Sequence, residues 1–482
     1  MHDGWMVLVV DRQAMRVLSS AVGMYDIMEQ RVTVVEDITK KRASFTDMGA
    51  IYLLNCNEDS VDRLVADWSD TPLYGNSVYI YFLNRMSDKH FEKIKECRPL
   101  VKRIKALCEI NCDFLAKELR AFHLDMRPAF QPLYVRNKRS KIENRIAEKL
   151  ITVMATMNEL PHVRYTRESP SASTLAKTFH VKMEQFARNN KEFWYNGDHT
   201  HNDRDRAILL ILDRKDDCLT PLMHDFTYQS MVNDLLPMKE DKITYRPDID
   251  NEYDDDEDEE EEEEGDDDND EMLDGKVKPG SKEVLLNETD KIWVELRGKH
   301  IAAVIQTLSG RIQEMLSSDT NSFGSKDGGK AMSLTQMAAA LKALPEYKEV
   351  MSKLSQHMHL AHDCMDKFGA LNLLELSELE QTLATGKTEE GTSPKLDTLI
   401  ESVEQMLETL KKPIDKLRLL LILIVSKNGL NDPDKDRLWD AAKITPDQQK
   451  VFDNIRNHLD VNLIQTEETA TQSKGMLGGW LG

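Results

Sequence analysis

Four short apolar runs near the start of the chain constrain its architecture most: Val7 to Val10, Val32 to Val35, Ile51 to Leu54 and Val78 to Phe82. Such near-continuous apolar character belongs to strands buried on both faces of a sheet. Helical patterns at Ser60 to Trp68 and Ser87 to Lys105 alternate with the later runs. The alternation implies a doubly wound parallel sheet ending near Tyr134. A second α/β unit follows, with helical patterns over Ile142 to Asn158 and Thr174 to Asn189 and a strand from Ala207 to Leu212 that ends in Asp213 and Arg214. From Glu283 to Asn428 and beyond, the periodicity is almost wholly helical. At 482 residues, two or three domains are expected.

The net charge of -22 sits almost entirely in one place, because twenty of the twenty-seven residues from Asp248 to Asp274 are Asp or Glu. Such a run repels itself and has nothing apolar to bury, so it reads as a disordered insert. The acidic balance argues against nucleic acid as a partner. The six cysteines contain no CxxC pair and no signal peptide precedes Met1, which points to a reducing cytosol. The most lipophilic stretch, Leu419 to Val425, is hemmed in by Lys416, Arg418 and Lys427. It falls far short of the roughly 20 apolar residues of a membrane span, so no direct membrane insertion is expected.

Enzymatic chemistry finds little support. Gly324 to Lys330 fits the first part of a phosphate-binding GxxxxGK loop, but Ala331 replaces the magnesium-binding hydroxyl and a helical pattern precedes it where a strand is required. His357, His359 and His362 lie close together, yet on a helix His357 and His359 point nearly opposite ways. Asp11 and Asp213 each end an apolar strand, where open α/β sheets often bind ligands, but helix capping or a local salt bridge is the better account of both. No catalytic set can be completed around them. The expectation is a non-enzyme without cofactor or metal.

From Tyr347 the residues Met351, Leu354, Met358, Ala361, Met365 and Phe368 recur at alternating spacings of four and three, an a/d seam on one helix face. Its methionines suit a surface that repacks against helical partners, and the same periodicity suits a core-facing stripe. Pro345 lacks an amide donor and should interrupt the helical pattern between Met332 to Ala343 and this seam.

Several stretches together resemble the SM family, the syntaxin-binding Sec/Munc proteins, and most closely its exocytic branch. They are Val7-Leu-Val-Val-Asp11, Met15-Arg16-Val-Leu-Ser-Ser20, Asp26-Ile-Met28, Val35 to Arg42, Leu210 to Arg214, Leu235-Leu-Pro237, Lys282 to Leu286, Trp293 to Ile301, Leu344 to Tyr347, His357 to Ala361 and Asp363-Cys-Met365. The resemblance implies an α/β plus α, arch-shaped multidomain protein. Its parts would be an N-terminal α/β domain over residues 1–134, an incomplete second α/β domain beginning with 135–247, the acidic insert 248–274, a mainly helical third domain 275–445, and a truncated return with a flexible tail at 446–482.

It implies a regulator of SNARE assembly in vesicle docking and fusion, monomeric and cytoplasmic, recruited to plasma or vesicle membranes through its partners. Those partners would be a syntaxin-like SNARE, a vesicle SNARE and the assembled bundle. Asp11, Met15, Arg16, Glu36 and Lys40 match the family's syntaxin-bundle cavity. Phe91, Ile104, Leu107 and Glu109 match the pocket for a syntaxin N-terminal peptide, and Pro345 and Met358 the vesicle SNARE hairpin. Gly23 and Ala43 depart from charged cavity contacts of close relatives. An endosomal or Golgi SM protein is the alternative within the class, and an acidic chaperone for basic proteins the alternative outside it.

Overall fold

In the computed structural model of the chain, residues 4–69, 71–75, 77–134, 136–190, 193, 205–239, 241–245, 282–321 and 345–459 are described. They fall into two compact units, one made of the described residues within 4–218 together with 454–459 and the other of those within 219–453. The acidic run, the Gly324 to Lys330 loop, the Met332 to Ala343 pattern and the glycine-rich tail lie outside the described residues.

The first unit is organised by a five-stranded parallel sheet of order β2-β1-β3-β4-β5. Its strands are β1 (Met6–Val10), β2 (Val32–Asp37), β3 (Gly49–Leu54), β4 (Val78–Phe82) and β5 (Ile104–Glu109). Every residue of central β1 is buried, as its unbroken apolar run requires, whereas edge strand β2 buries only Val32. Helices α1 (Arg12–Ala21) and α2 (Met24–Glu29) follow β1, and α3 (Glu58–Ser69) follows β3. The two sheet faces carry separate cores, one built on Tyr52, Leu64, Trp68 and Ile80 and the other on Leu8, Val10, Ala14 and Val17.

One sequence expectation fails here. Ser87 to Lys105 is not one helix but α4 (Asp88–Glu96) and the single turn α5 (Arg98–Val101), with the fifth strand beginning at Ile104. Pro99 cannot donate into a continuing α4, so the chain restarts at Cys97. Strand β5 carries no continuous apolar run because it is half-exposed along its length, with Lys105, Cys108 and Glu109 on the outside.

The rest of the unit is a hairpin, β6 (Leu115–Glu118) with β7 (Ala121–His123), then α6 (Phe130–Tyr134) and α7 (Arg136–Met157). Strands β8 (His162–Tyr165) and β9 (Ile208–Ile211) pair in parallel, with α8 (Pro170–Asn189) between them in sequence. Phe179 and Met183 of α8 pack on Ala147, Val153 and Met154 of α7, with Val163 and Leu209 of the strands against them.

The second unit starts with α9 (Tyr228–Leu235) and an antiparallel sheet of β10 (Met238–Lys239), β11 (Lys242–Tyr245) and β12 (Lys282–Leu285). This corrects the reading of Glu283 as the start of helical sequence: it pairs with Thr244 in the sheet. Tyr245 faces Lys282, so the chain leaves and re-enters this sheet at directly paired residues on either side of the acidic run.

Helices complete the unit: α10 (Lys291–Leu296), α11 (Ile301–Asn321), α12 (Pro345–Ala370), α13 (Leu373–Thr385), α14 (Leu396–Thr409), α15 (Pro413–Lys427), α16 (Asp432–Ala442) and the part of α17 (Pro446–Leu459) before Asn454. The lipophilic stretch is α15, where Leu417 and Leu419 to Ile424 are all buried. A helix apolar all round belongs in a core. Among the described residues no helix is long and apolar enough to cross a membrane.

Candidate functional site

Asp11 stands at the carboxyl end of β1 and caps α1. Its Oδ1 accepts the Ala14 amide at 2.8 Å, and its Oδ2 accepts the Asn55 amide and the Ser60 hydroxyl, each at 2.7 Å. Buried, it ties the end of β3 and the start of α3 to α1. Asp213 does the same after β9, accepting from Tyr134 at 2.9 Å, Ser169 at 2.5 Å and the Lys215 amide at 3.1 Å. Both strand-end aspartates are caps.

From this fixed corner α1 carries Met15, half-buried against the Val10 and Val17 core, and Arg16. The Arg16 Nη1 donates to both oxygens of Asp125, at 2.7 and 2.6 Å. Asp125, whose side chain is 6% exposed against 28% for Arg16, holds a left-handed φ of 50°. That conformation is available to Asp at modest cost. On the neighbouring strand, Glu36 Oε2 accepts the Tyr74 hydroxyl at 2.7 Å. Lys40 is exposed in the turn after β2. There burial raises the Asp37 carboxyl, but bonds from Thr39 with the charges of Lys40 and Arg42 outweigh it and hold the group below its ordinary range. Parallel pairing sets Val10 beside Asp37, so α1, Glu36 and Lys40 share the β1–β2 end of the sheet.

The residues expected to form the peptide pocket lie at the opposite edge. Phe91 on α4 is 44% exposed, while Ile104 and Leu107 on β5 are half-buried against the core. Exposed Glu109 follows them, its Oε1 accepting the Met86 amide at 2.8 Å. The two sets are therefore separated by the width of one sheet.

In the second unit the α12 seam faces inward. Leu354 and Ala361 are buried, and Met351, Met358, Met365 and Phe368 pack half-buried on the same core, with Phe368 edge-on to Phe226 at 5.3 Å. Pro345 is the first residue of α12, where its missing amide costs nothing. His357 is fully buried between Tyr228 and Asp290, its Nδ1 3.0 Å from the phenol and its Nε2 3.2 Å from the carboxylate. Asp290 also caps α10 through the Ile292 and Trp293 amides and receives Lys353 at 3.1 Å. Burial raises its carboxyl, but the His357, Trp293 and Lys353 bonds outweigh that and hold it well below the usual range. His357 is thus a structural link. Among the described residues no cluster of His, Cys, Asp or Glu is arranged to hold a metal.

Thiol chemistry has no foothold in the shifted cysteines. Burial pushes Cys56 up to about 11 and Cys364 up to about 12, so both stay protonated. The residues missed from the sequence are the inner partners Tyr74, Arg42, Asp67, Asp125 and Asp290. No periodicity or motif links them to the groups they hold.

Compared with known proteins, residues 6–477 match the model of the Sec1 family. The chain is 34% identical over 471 residues to the protein transport protein sec1 of Dictyostelium discoideum, covering 96% of this chain and 71% of that one. It is 28% identical to the SNARE-interacting protein KEULE of Arabidopsis thaliana, covering 94% of this chain but only 64%, less than two thirds, of that relative's length. Among solved structures, the Unc18–syntaxin 1 complex from Monosiga brevicollis superposes with a TM-score of 0.77 at 26% identity, over 96% of this chain and 76% of that one.

Proposed function

Because this chain belongs to the Sec1 family, we propose that it binds a syntaxin-like SNARE and controls SNARE complex assembly in vesicle docking and membrane fusion, at an exocytic step. The observation that carries this reading is the placement of Arg16, Glu36 and Lys40 together at one end of the first sheet. There, Arg16 and Glu36, held by Asp125 and Tyr74, and exposed Lys40 meet a polar helical bundle. Preset charges of this kind give register and specificity more than raw affinity. The protein acts by binding, without catalysis, and reaches plasma or vesicle membranes through its SNAREs. Affinity purification from cytosol and detergent-solubilised membrane tests the reading. A syntaxin-like SNARE should be retained, and its identity assigns the compartment. Recovery of basic proteins alone, lost on deleting residues 248–274, would replace the reading with an acidic chaperone.

In the same reading Phe91, Ile104, Leu107 and Glu109 receive the N-terminal peptide of the syntaxin. Burying the exposed part of one aromatic side chain contributes about 1 to 2 kcal/mol. Phe91→Ala should therefore weaken an isolated N-terminal peptide by roughly five- to thirtyfold. Binding of the helical bundle, at the other sheet edge, should stay within about twofold. Fluorescence titration of both ligands checks this, and equal peptide affinity in the two forms would remove Phe91 from the pocket.

Pro345 and Met358 form the vesicle SNARE contact in this reading. Pro345→Ala removes the bar to a helix that continues through residues 340–350 in the bound form, and should tighten binding of a vesicle SNARE helix. The gain is bounded by the roughly 3 kcal/mol that proline costs inside a helix. If calorimetry finds the affinity unchanged, the α12 seam serves only as core.

A further inference from the structure

Glu36 is the surface end of a hydrogen-bonded chain that runs through the first core. Trp68 Nε1 donates to the Tyr52 hydroxyl at 3.2 Å, and Tyr52 donates to Asp67 Oδ2 at 2.7 Å. Arg42 clasps both Asp67 oxygens through its two terminal nitrogens, each at 2.7 Å. The same Arg42 Nη1 donates to the Tyr74 hydroxyl at 3.1 Å, which leaves the single phenolic proton to go to Glu36 Oε2 at 2.7 Å. Trp68 and Tyr52 are fully buried, Tyr74 is 2% exposed, and the Asp67 and Arg42 side chains are 6% and 7% exposed. Glu36, half-buried on the edge strand, is the outer member of the chain.

Tyr74 is itself immobilised. Its ring lies edge-on to Tyr52 at 6.2 Å and tilted on Trp68 at 6.3 Å. The next residue, Gly75, donates its amide to Met48, and a Cβ there would stand 2.7 Å from the Thr46 carbonyl oxygen. Only glycine lets the two loops close over the ring. Burial first, then the bond to Glu36, raises the phenol's pKa well above its ordinary value, so Tyr74 remains a donor throughout the physiological range.

We propose that Tyr74 is a positioning and specificity residue for partner binding: its phenol fixes the Glu36 carboxylate and occupies Oε2, so that Oε1 is the acceptor offered to a lysine or arginine on the partner helix. This rests on the reading of the β1–β2 end as the SNARE-binding face and names the chemistry recognised there. A carboxylate held in place loses less entropy on pairing than one free to rotate, and a bond to a charged acceptor repays good alignment.

Tyr74→Phe removes the hydroxyl alone, keeping the ring contacts and the Arg42–Asp67 clasp. The probe is the cytosolic portion of the syntaxin-like SNARE recovered by affinity purification, titrated against the full chain. Affinity should fall by about three- to tenfold, mainly through faster dissociation, with the melting temperature nearly unchanged. In a Glu36→Gln background the same substitution should have no further effect. A merely structural Tyr74 would lower the melting temperature and act equally in both backgrounds, and that result overturns the proposal.

Should Tyr74→Phe melt markedly early, Glu36→Asp takes its place. The shorter arm keeps the charge but withdraws it from the phenol. The same loss of affinity is expected, and full affinity overturns the proposal. If the wild type binds no SNARE, or Glu36→Gln leaves binding intact, the reading of the face itself falls. If Glu36→Gln weakens binding while Tyr74→Phe does not, only the role of Tyr74 falls.

Discussion

Arg16→Glu should abolish measurable binding of the syntaxin-like bundle while the protein stays folded at ambient temperature. Two effects combine. The partner loses the cation it faces, and truncating one member of a hydrogen-bonded charge pair costs roughly 2 to 5 kcal/mol, at least thirtyfold in affinity. The new carboxylate also meets Asp125, which is 6% exposed and otherwise receives two bonds from Arg16. Like charges there should cost the first unit a further 1 to 3 kcal/mol, roughly, of stability. Arg16→Gln separates the two effects, since it removes the charge without reversing it. Binding should still weaken at least about thirtyfold, with a smaller loss of stability than in Arg16→Glu because Asp125 loses its cation but meets no like charge. Calorimetry and thermal melts on both variants check this; wild-type affinity in folded Arg16→Glu would take Arg16 out of the interface.

The largest loss of stability should come from Asp290→Ala. One side chain caps α10, receives Lys353 and anchors fully buried His357. Losing a cap costs about 1 kcal/mol, and leaving the buried His357 nitrogen unsatisfied another 1 to 3 kcal/mol, roughly. Urea unfolding, read by hydrogen exchange in α10 and α12, should show a deficit of about 2 to 4 kcal/mol confined to the second unit. A pH signature accompanies it. The Asp290 carboxyl titrates lower in the folded than in the unfolded chain, so its contribution is fully present above about pH 4 and fades as the pH falls below that. Asp290→Asn should therefore be less stable than wild type at neutral pH and converge with it in acid. Parallel curves would mean that the carboxylate's charge is not what holds His357.

The buried parallel strands were legible because a strand covered on both faces must be apolar throughout, as Val7 to Val10 and Val78 to Phe82 are. Strands β5 and β12 were not, because half-exposed strands with outward Lys105 or Glu283 carry no such run. The seam of α12 was visible as a period, but a period cannot tell a groove from a core. Packing against Phe226 and the Trp293 cluster buries Leu354 and Ala361 and leaves Met351, Met358 and Met365 half-buried.

At the candidate site, resemblance to relatives marked Arg16 and Glu36, and nothing in the sequence marked what holds them. Asp125 lies 109 residues from Arg16 and Tyr74 lies 38 from Glu36. Only the fold, with a left-handed Asp125 after β7 and Gly75 closing a loop, brings those pairs together.

The central claim is that a SNARE helix bundle rests on the β1–β2 end of the first sheet. Hydrogen exchange of the full chain, alone and saturated with the recovered syntaxin-like SNARE, measures this most directly. Amides of α1 and of residues 36–40 should be slowed in the complex, and by less when Arg16→Gln is titrated at the same SNARE concentration. A tight complex that leaves α1 and residues 36–40 exchanging as in the free protein would contradict it.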